Sequence, residues 1–493
     1  MNRTQEQPLE SFDGVIVGAG VIGAAVARAL ARYRLRLLLL DRESDVGTVT
    51  SAANSAIVHS GYDPVPGSLK AKMNVAGNRL FPETCRQLDV DLKMIGSLTL
   101  AIGDEEVAVL NELAARAAQN GVPVEILSRA EVLRREPNLT PEVRAALFAP
   151  TAGIVNPFEL TVALAENAVQ NGVTLRLNEE VTRVAPAPDG WYTVTTSRGA
   201  YRTRALVNAA GLHADTLANA ALAERGRSAD YEIRPRKGEY FVLDHFDPEF
   251  IRHTIFTVPT QKGKGILVTP TTHGNYLIGP SAEFTDRKDD FATTDETLAR
   301  VLASAQKLVP SIPTRQIIRQ FAGLRAVEKR GEFVIDRPAP GLINLLGIQS
   351  PGLTASLAIA EEVVNLIRND VPLEENPDFD PRRRPRVRLA RMAPLDRAAY
   401  VAEHPSFGRI VCRCEDVSEG EIVDAIRRPC GATTVDGVKK RVRPGFGKCQ
   451  GGFCQPQVVR ILARELGRKP EEIPLKSPGT EILLERIGET DDA

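Results

Sequence analysis

Four of the six cysteines fall late in the chain, in two closely spaced pairs. Cys412 and Cys414 form a C-x-C pair, and Cys449 and Cys454 form a C-x4-C pair. Both pairs are predicted to lie in loops just before helix starts, where the helix dipole favours the negative charge of thiolates. Four thiolates suit an iron–sulfur cluster or zinc, but zinc ribbons usually carry two C-x2-C pairs. The spacing therefore favours an iron–sulfur cluster over zinc or a site that has lost its metal.

A glycine pattern near the N-terminus indicates a second kind of site. Gly18-Ala-Gly20-Val-Ile-Gly23 follows a β-branched run and precedes an Ala-rich helix. Gly18 allows a sharp turn, Gly20 lets the backbone approach a pyrophosphate, and Gly23 lets the helix pack closely on the strand. Asp41 ends the next strand, where its carboxylate can bind ribose hydroxyls. An ordinary glycine-rich turn is the alternative, but the flanking strand, helix and acid favour a dinucleotide site. The predicted contacts are Gly18, Ala19, Gly20, Val21, Ile22, Gly23, Asp41 and Arg42.

The loop from Thr50 to Tyr62 is rich in small and hydroxyl side chains and contains His59. After a dinucleotide unit, such a loop can pass under the isoalloxazine ring of a flavin. Here the chain resembles FAD oxidoreductases of the D-amino-acid oxidase type, and within them bacterial type 2 glycerol-3-phosphate oxidases and dehydrogenases and L-2-hydroxyglutarate oxidases. The resemblance covers most of the chain and implies that this loop lines the flavin, with its histidine beside the substrate. The predicted cofactor contacts here are Thr50, Ser51, Asn54 and Ser55.

Later segments are expected to return to the same flavin. The loop around Val181 would present backbone groups to the adenine, and Asn208-Ala-Ala-Gly211 ends a buried strand in small residues. The alternative for this strand end is close packing of strand and helix alone. Ser350-Pro-Gly-Leu-Thr354 repeats the order of strand, glycine turn and helix, with helix N–H groups facing the flavin. This convergence predicts FAD. The predicted contacts are Val181, Ala210, Gly211, Gly323, Ser350, Gly352, Leu353 and Thr354.

Two cations are predicted to bind an anionic substrate. Arg325 ends a predicted strand, and the resemblance implies that it holds the anionic end of the substrate. A guanidinium gives bidentate bonds to carboxylate or phosphate. The alternative for Arg325 is a structural ion pair with Glu328 or Asp336. Lys264 precedes another strand and is the second predicted cation, although a lysine there is more often a solvated turn residue.

The predicted catalytic base is His59, because an imidazole of near-neutral pKa can take a hydroxyl proton and pass it on. A lone histidine is usually structural, and its place in the flavin-lining loop favours the catalytic interpretation. Ser350 is predicted to bond substrate or flavin.

The cysteine-rich segment carries a resemblance of its own. Arg443-Pro-Gly-Phe-Gly-Lys-Cys449-Gln-Gly and the two cysteine pairs resemble the bacterioferritin-associated ferredoxin domain, which recurs in some anaerobic-type glycerol-3-phosphate dehydrogenase subunits. The resemblance implies a 2Fe-2S cluster on the four paired cysteines. Between the pairs, Ser418 and Glu421 have the spacing of a capping box that opens a helix. Cys85 and Cys430 are outside the pattern and are predicted to be inert thiols.

Composition excludes several classes of function. The chain has 493 residues, 43% hydrophobic and 25% charged, with a formal net charge of −1. This balance argues against nucleic-acid binding. No signal peptide or membrane span is expected, and the cysteine usage suits a reducing cytoplasm. Six arginines between residues 382 and 391 predict a solvated linker wrapped on the flavin domain, with contact to anionic lipid or a partner as the alternative.

The predicted fold class is α/β. A Rossmann-like FAD-binding domain is interleaved with an antiparallel-sheet substrate domain, and a small helical iron–sulfur domain follows. The oxidoreductase region spans 11–375, with FAD-binding parts at about 11–80, 150–225 and 325–370 and substrate or cap parts at about 81–149 and 226–324. A basic linker (376–405), the ferredoxin-like domain (406–470) and a tail (471–493) complete the chain.

The leading functional hypothesis is oxidation of sn-glycerol 3-phosphate to dihydroxyacetone phosphate, with electrons relayed from FAD through the cluster to a redox protein or a quinone-linked subunit. A 2-hydroxy acid such as L-2-hydroxyglutarate, or an amino acid or opine, is the alternative substrate. A non-catalytic electron-transfer subunit of a larger complex is the alternative of a different class.

Overall fold

The computed structural model describes residues 9–259 and 265–483. In these ranges the chain forms 22 strands and 12 α-helices. The strands are β1 (Glu10–Val17), β2 (Leu37–Leu40), β3 (Ile57–Val58), β4 (Leu92–Lys93), β5 (Ser97–Ala101), β6 (Glu125–Ser128), β7 (Ala145–Ala149), β8 (Gly153–Val155), β9 (Thr174–Arg176), β10 (Val181–Pro186), β11 (Tyr192–Thr196), β12 (Ala200–Asn208), β13 (Ile233–Leu243), β14 (Thr254–Thr257), β15 (Leu267–Pro270), β16 (Tyr276–Gly279), β17 (Glu283–Phe284), β18 (Ile317–Glu328), β19 (Val334–Ala339), β20 (Leu342–Leu346), β21 (Ile410–Cys412) and β22 (Val417–Ser418). The helices are α1 (Val21–Leu30), α2 (Leu69–Gln87), α3 (Asp104–Gln119), α4 (Arg129–Arg135), α5 (Pro157–Gln170), α6 (Ala214–Ala223), α7 (Asp295–Leu308), α8 (Gly352–Ile367), α9 (Pro394–Glu403), α10 (Glu419–Arg427), α11 (Val435–Val442) and α12 (Gln455–Leu466).

The first sheet is the predicted dinucleotide-binding sheet. Its strands run in the order β10-β11-β12-β1-β2-β9, with β20 beside β12 and β19 beside β20. The central pairs β12–β1, β1–β2, β2–β9 and β12–β20 are parallel. Buried parallel strands are covered on both faces, so they read as continuous apolar runs, and all four leucines of β2 are buried. The predicted strand, glycine turn and helix are confirmed.

Helices α1, α2, α5 and α8 pack in one hydrophobic core on this sheet. The turn between β1 and α1 is tight, because a Cβ atom at Gly23 would lie 1.8 Å from the carbonyl oxygen of Gly18. Only glycine fits there, which is the close packing that the sequence predicted for Gly23. The expected boundary at residue 81 falls inside α2, whose Phe81 and Cys85 lie in this same core.

The second sheet has nine strands and lies over the first, with α7 against one of its faces. Its longest pair is β13 with β18, which run antiparallel. In their register Arg236 faces Arg325, Gly238 faces Gly323 and Tyr240 faces Phe321. Strands β15 and β16 form an antiparallel hairpin in this sheet.

The C-terminal domain consists of β21, β22 and helices α10 to α12 around a small core of its own. Ser418 and Glu421 form the predicted capping box, in which the Ser418 hydroxyl accepts from the Glu421 N–H and the Glu421 carboxylate accepts from the Ser418 N–H. Cys449 and Cys454 lie just before α12, as the sequence predicted, whereas Cys412 is the last residue of β21 and the short strand β22 separates Cys414 from α10. We call residues 410–466 the cluster domain.

The basic tract after α8 is wrapped on the flavin domain, but its key arginines are not solvated. Arg383 is buried and donates to Glu166 of α5 at 2.8 Å, and Arg428 of the cluster domain donates to the other oxygen of Glu166 at 2.6 Å. Arg386 and Arg388 both bind Glu159 of α5. The expectation of a solvated linker is therefore wrong for these residues, because buried carboxylates on α5 receive them.

A further buried pair joins the two domains directly. Arg441 of α11 donates two hydrogen bonds to Asp45, at 2.6 and 2.8 Å, and both side chains are buried. Although burial opposes ionisation of Asp45, the charge and hydrogen bonds of Arg441 keep its pKa below the usual value. None of the helices in the described ranges has both the length and the apolar character required to cross a bilayer.

Glu166→Gln is expected to lower the free energy of unfolding by about 3 kcal/mol or more, because it leaves the buried Arg383 without its counter-charge and leaves the buried Arg428 with Asp424 as its one remaining carboxylate partner. Chemical denaturation of the purified protein measures the loss. Glu83→Gln is the matched control, since Glu83 forms an exposed pair with Arg86, and it should leave the midpoint unchanged. Equal midpoints for Glu166→Gln and the unmodified chain would contradict a structural role for this carboxylate.

Candidate functional site

Two adjoining cavities, of 490 and 270 Å³, lie at the carboxyl ends of the parallel strands. Open α/β sheets bind their ligands at this edge. The cavities form one elongated cleft, because they share wall residues in the glycine turn, the following loop and the end of β12. The shared residues are Gly20, Thr50, Ser51, Ala209 and Gly211. An extended two-lobed cleft of this kind suits a dinucleotide.

The smaller lobe holds the predicted ribose ligand. Asp41 accepts the Ala19 N–H at 2.6 Å and the Glu43 N–H at 2.9 Å, so its carboxylate is fixed at the wall. Burial raises the pKa of Asp41 against the effect of these backbone bonds. Arg42 lies 3.3 Å from His213 Nε2, and both residues line the lobe with Val181.

The start of α1 faces the junction of the two lobes. Gly20 is the N-cap and provides no side-chain cap, so the first N–H groups are left to other partners. The Val21 N–H donates to Ser51 Oγ at 2.9 Å, which places the hydroxyl beside the helix N-terminus. A pyrophosphate fits here because the helix end offers donors and a partial positive charge.

His59 lies in the wall of the larger lobe with its backbone fixed from two sides. Its N–H donates to Thr354 Oγ1 at 2.9 Å, and its carbonyl accepts from Asn74 and Asn78 of α2 at 3.0 and 3.1 Å. The ring stacks on Phe256 with 6.0 Å between centroids. Ser350 Oγ is 3.4 Å from His59 Nε2, so the two predicted residues are neighbours in the lobe.

Arg325 also lines the larger lobe and donates to the Ser281 carbonyl at 2.6 Å. The predicted alternative, an ion pair with Glu328 or Asp336, is not formed, since these acids bind Arg330 and Tyr231. Burial, opposed by Tyr240 and reinforced by Arg236, lowers the pKa of Arg325. Lys264, the other predicted cation, lies outside the described residues.

Most of the predicted cofactor residues line the cleft. Ala19, Gly23 and Thr354 lie behind its wall, where Ala19 supports Asp41 and Thr354 supports His59. Gly323 reaches the wall from the second sheet, and a Cβ atom at this position would lie 2.1 Å from the Ala53 carbonyl oxygen. A glycine at Gly323 therefore lets the second sheet close directly on the flavin-lining loop.

Sequence reasoning missed Arg236, Tyr240 and Lys70, which line the larger lobe. Tyr240 is buried, and its hydroxyl lies 3.1 Å from Ser55 Oγ. Alternation along β13 was an available signal, since Arg236 and Tyr240 share a face of the strand. The pairing of β13 with β18 could not be predicted from the sequence, because the two strands are far apart in the chain.

The four paired cysteines of the cluster domain form two sulfur pairs. The sulfurs of Cys414 and Cys449 are 3.6 Å apart, and the thiols of Cys412 and Cys454 influence each other's ionisation. Among the described residues, no three of these sulfurs lie within 4.8 Å of one another. A tetrahedral zinc ion, with Zn–S bonds of about 2.3 Å, would bring all four to about 3.8 Å. Two separate pairs fit two iron atoms.

Backbone donors surround these sulfurs. The Cys454 thiol and then the N–H groups of nearby loop residues lower the pKa of Cys412 to about 6, despite burial. The N–H of Phe453 is the largest of the influences that lower the pKa of Cys449. Such donors stabilise the thiolates of an anionic cluster. Burial instead raises the pKa of Cys85 to about 12 and that of Cys430 to about 11, which fits the inert thiols predicted there.

The chain belongs to the FAD-dependent oxidoreductase family, whose profile matches residues 13–366, and residues 410–464 match the BFD-like [2Fe-2S] binding domain. It is therefore a flavoprotein that binds FAD and a 2Fe-2S cluster, and both site geometries fit these groups.

Three similar proteins refine the comparison. A glycerol 3-phosphate dehydrogenase of Caloramator mitchellensis is 45% identical over 476 residues, which cover 96% of this chain and 98% of that protein. A glycerol 3-phosphate oxidase of Mycoplasma genitalium is 36% identical and covers 73% of this chain and 95% of its own length. The structure of dithionite-reduced L-alpha-glycerophosphate oxidase from Mycoplasma pneumoniae with FAD bound superposes with a TM-score of 0.72 at 32% identity, covering 76% of this chain and 99% of that one.

Cys412→Ser is expected to abolish the cluster while FAD stays bound, because one of the two sulfur pairs loses a ligand. Iron and acid-labile sulfide content, together with the visible spectrum after subtraction of the flavin, measure the loss. Cys430→Ser is the matched control and should retain the full cluster content. A normal iron content in Cys412→Ser would remove this cysteine from the ligand set.

Proposed function

We propose that this chain is an FAD-dependent dehydrogenase that oxidises sn-glycerol 3-phosphate to dihydroxyacetone phosphate. The supporting relative spans both domains of the chain, since the Caloramator mitchellensis protein carries this activity in its name and aligns over 98% of its length. The structural observation that supports this proposal most directly is a cationic wall in the larger lobe of the cleft. This wall lies in the same lobe as His59 and Ser350.

The cationic wall contains two arginines that face each other. Arg236 of β13 and Arg325 of β18 are direct cross-strand partners, and both line the larger lobe. Like charges directly opposite one another destabilise a sheet. An anion between the two guanidiniums removes that repulsion and gains bidentate hydrogen bonds. Lys70 lines the same lobe, where Asp63 is the one acidic residue among the described wall residues. This balance suits a phosphate dianion.

His59 is the proposed base for the hydroxyl proton of the substrate. Its backbone bonds to Thr354, Asn74 and Asn78 hold the imidazole at a fixed place in the wall. Ser350 beside Nε2 can accept a hydrogen bond from the protonated ring or orient the substrate hydroxyl toward it. A histidine held in this way takes a proton in the substrate complex without a costly side-chain movement. Phe256, stacked on the ring, shields it from water on one side.

Bound FAD supplies the two-electron acceptor for the substrate carbon, and the 2Fe-2S cluster supplies a one-electron centre for onward transfer. The chain itself connects the two sites. Gln450, next to the ligand Cys449, accepts a hydrogen bond from Arg319 of β18 at 3.0 Å. Arg319, Phe321 and Gly323 alternate on one face of that strand. Gly323 is in the cleft wall, and roughly 13 Å of strand separates it from Arg319. This closeness favours a dehydrogenase over an oxidase that uses oxygen alone.

The stacked rings of Phe321 and Tyr240 lie on this connecting face, with 4.6 Å between their centroids and an interplanar angle of 6°. Tyr240 lines the cleft, so the ring pair stands between the cleft and the loop that holds Cys449. Tyr240 is buried and Phe321 is half-buried.

Anaerobic addition of substrate to the purified protein tests the proposal. We expect sn-glycerol 3-phosphate to bleach the flavin absorbance and then to reduce the cluster, whereas L-2-hydroxyglutarate, a second candidate because guanidinium forks also bind carboxylates, should act at least tenfold more slowly. No bleaching by sn-glycerol 3-phosphate would defeat the proposal. No bleaching by any member of a panel of 2-hydroxy acids and amino acids would favour a non-catalytic subunit.

His59→Asn is expected to lower the rate of flavin reduction by about 10²–10⁴, because general-base catalysis is lost, while FAD content is unchanged. Stopped-flow absorbance under anaerobic conditions measures the rate. His245→Asn, at a partly exposed histidine outside the cleft wall, should reduce flavin at the unmodified rate. A His59→Asn protein that reduces flavin normally would exclude this residue as the base.

Arg236→Gln is expected to raise the dissociation constant for sn-glycerol 3-phosphate by roughly 10- to 100-fold, since a charge-assisted hydrogen bond is lost. The substitution removes both the repulsion with Arg325 and the contact of Arg236 with the Phe284 ring, so the melting temperature of the substrate-free protein is expected to change little. Thermal shift with increasing substrate measures both quantities. Arg234→Gln, at an exposed residue on the same strand that pairs with Asp286, should leave the affinity unchanged. A lower melting temperature with intact affinity would show that Arg236 is only structural.

A further inference from the structure

The cluster domain exposes one side of its cysteine site. Cys414 is exposed and Cys449 is half-buried, whereas Cys412 and Cys454 are buried. Phe453 stands between Cys449 and Cys454 in sequence, and its side chain is 86% exposed, the most exposed of the large apolar side chains described. An aromatic side chain kept in water beside a redox centre contributes nothing to the domain core. Interfaces, in contrast, are enriched in aromatic residues at their centres.

Three exposed cations lie next to the cysteine ligands or on the helix that follows them. Arg413 lies between Cys412 and Cys414, Lys448 precedes Cys449, and Arg460 lies on the exposed face of α12. Phe453, Gln457 and Arg460 are spaced by four and three residues, and Phe453 directly precedes the N-cap, so the three follow one side of the helix start. We call Arg413, Cys414, Lys448, Phe453, Gln457 and Arg460 the cluster face.

The cations of the cluster face are not neutralised by the chain. Among residues 9–259 and 265–483, Arg413, Lys448 and Arg460 form no salt bridge. The two acids that follow Cys414 are engaged elsewhere, since Glu415 binds Arg443 at 2.7 Å and Asp416 binds Arg397 at 2.7 Å. The buried arginines of the linker are, by contrast, matched to carboxylates. The cluster face thus combines an apolar centre with a rim of uncompensated positive charge.

We propose that the cluster face is the docking site for an acidic one-electron redox protein. The inference rests on the proposed relay of electrons to the cluster. In each encounter the cysteine-held centre loses one electron and the oxidised centre of the partner gains it. Two encounters restore the oxidised chain after each substrate. The positive rim steers an acidic partner and sets its orientation, and Phe453 fills an apolar site on that partner. A small patch of this kind matches weak and transient redox encounters.

Two other occupants fit the cluster face less well. A second copy of this chain, related by a twofold axis, would bring the same cations against one another. An anionic membrane typically requires clusters of about four to eight basic residues. Three cations and an exposed aromatic side chain fit an acidic protein surface instead.

Binding to an acidic plant-type ferredoxin tests the docking site, with cytochrome c as the basic counterpart. We expect the oxidised holoprotein to bind the ferredoxin at least tenfold more tightly than cytochrome c at low salt, and the difference to shrink as salt rises. The combined variant Arg413→Glu, Lys448→Glu, Arg460→Glu should reverse this preference. The matched control Arg134→Glu, Arg198→Glu, Lys307→Glu changes the net charge equally at exposed positions outside the cluster face and should change either affinity by less than twofold.

Phe453→Ser separates the apolar contribution from the charge contribution. It should weaken ferredoxin binding about tenfold without changing the salt dependence. The proposal would be overturned by equal binding of both probes or by equal effects of the two triple variants. It would also be overturned if sedimentation showed self-association of the chain that depends on Phe453, or if the protein bound selectively to phosphatidylserine vesicles. Flavin bleaching by sn-glycerol 3-phosphate in the same variants should match the unmodified protein. Lost bleaching in the unmodified chain would count against the substrate, whereas intact bleaching with unselective binding would count against the docking site alone.

Discussion

Electron transfer between two cofactors requires that they stay at a fixed separation, and here buried arginine–carboxylate pairs meet that requirement. Glu166 is shared by Arg383 of the linker and Arg428 of the cluster domain, and Asp45 binds Arg441. Each ion would be costly if it were buried alone, so the pairs form together or not at all. The linker and the cluster domain are consequently held on the flavin domain by buried ion pairs, and Glu166 joins all three parts, because Arg428 binds it in addition to Asp424 of its own domain.

The cleft shows how distant parts of the chain can be brought to one ligand. The glycine turn, the His59 loop, the end of β12 and the start of α8 all line the cleft on the side of the parallel sheet. The second sheet supplies the opposite wall through Gly323, Arg325 and Arg236. The two proposed roles therefore fall on different sheets: the first sheet carries the predicted nucleotide contacts, and the second carries the cations proposed to bind the anion.

The sequence predicted the parts of the site whose chemistry is encoded locally. Gly23 predicts a close approach of helix and strand, and the two cysteine pairs predict thiolate ligation. In each case the residues that determine the feature are close together in the sequence. A role for Arg236 could not be predicted in this way, because it depends on the cross-strand partner Arg325, which lies far along the chain. The solvated linker was a wrong expectation for the same reason. The carboxylates that receive Arg383 and Arg386 are on α5, and burial of those carboxylates is a property of the assembled fold.

Asp45 belongs to the loop between Asp41, in the adenosine lobe, and Ser51, beside the helix N-terminus. The C-terminal domain therefore braces the very segment that encloses the nucleotide. Thermodynamic linkage then couples the two events, since whatever orders this loop favours both of them. We therefore expect flavin binding and docking of the cluster domain to stabilise each other, because both depend on the order of this one loop.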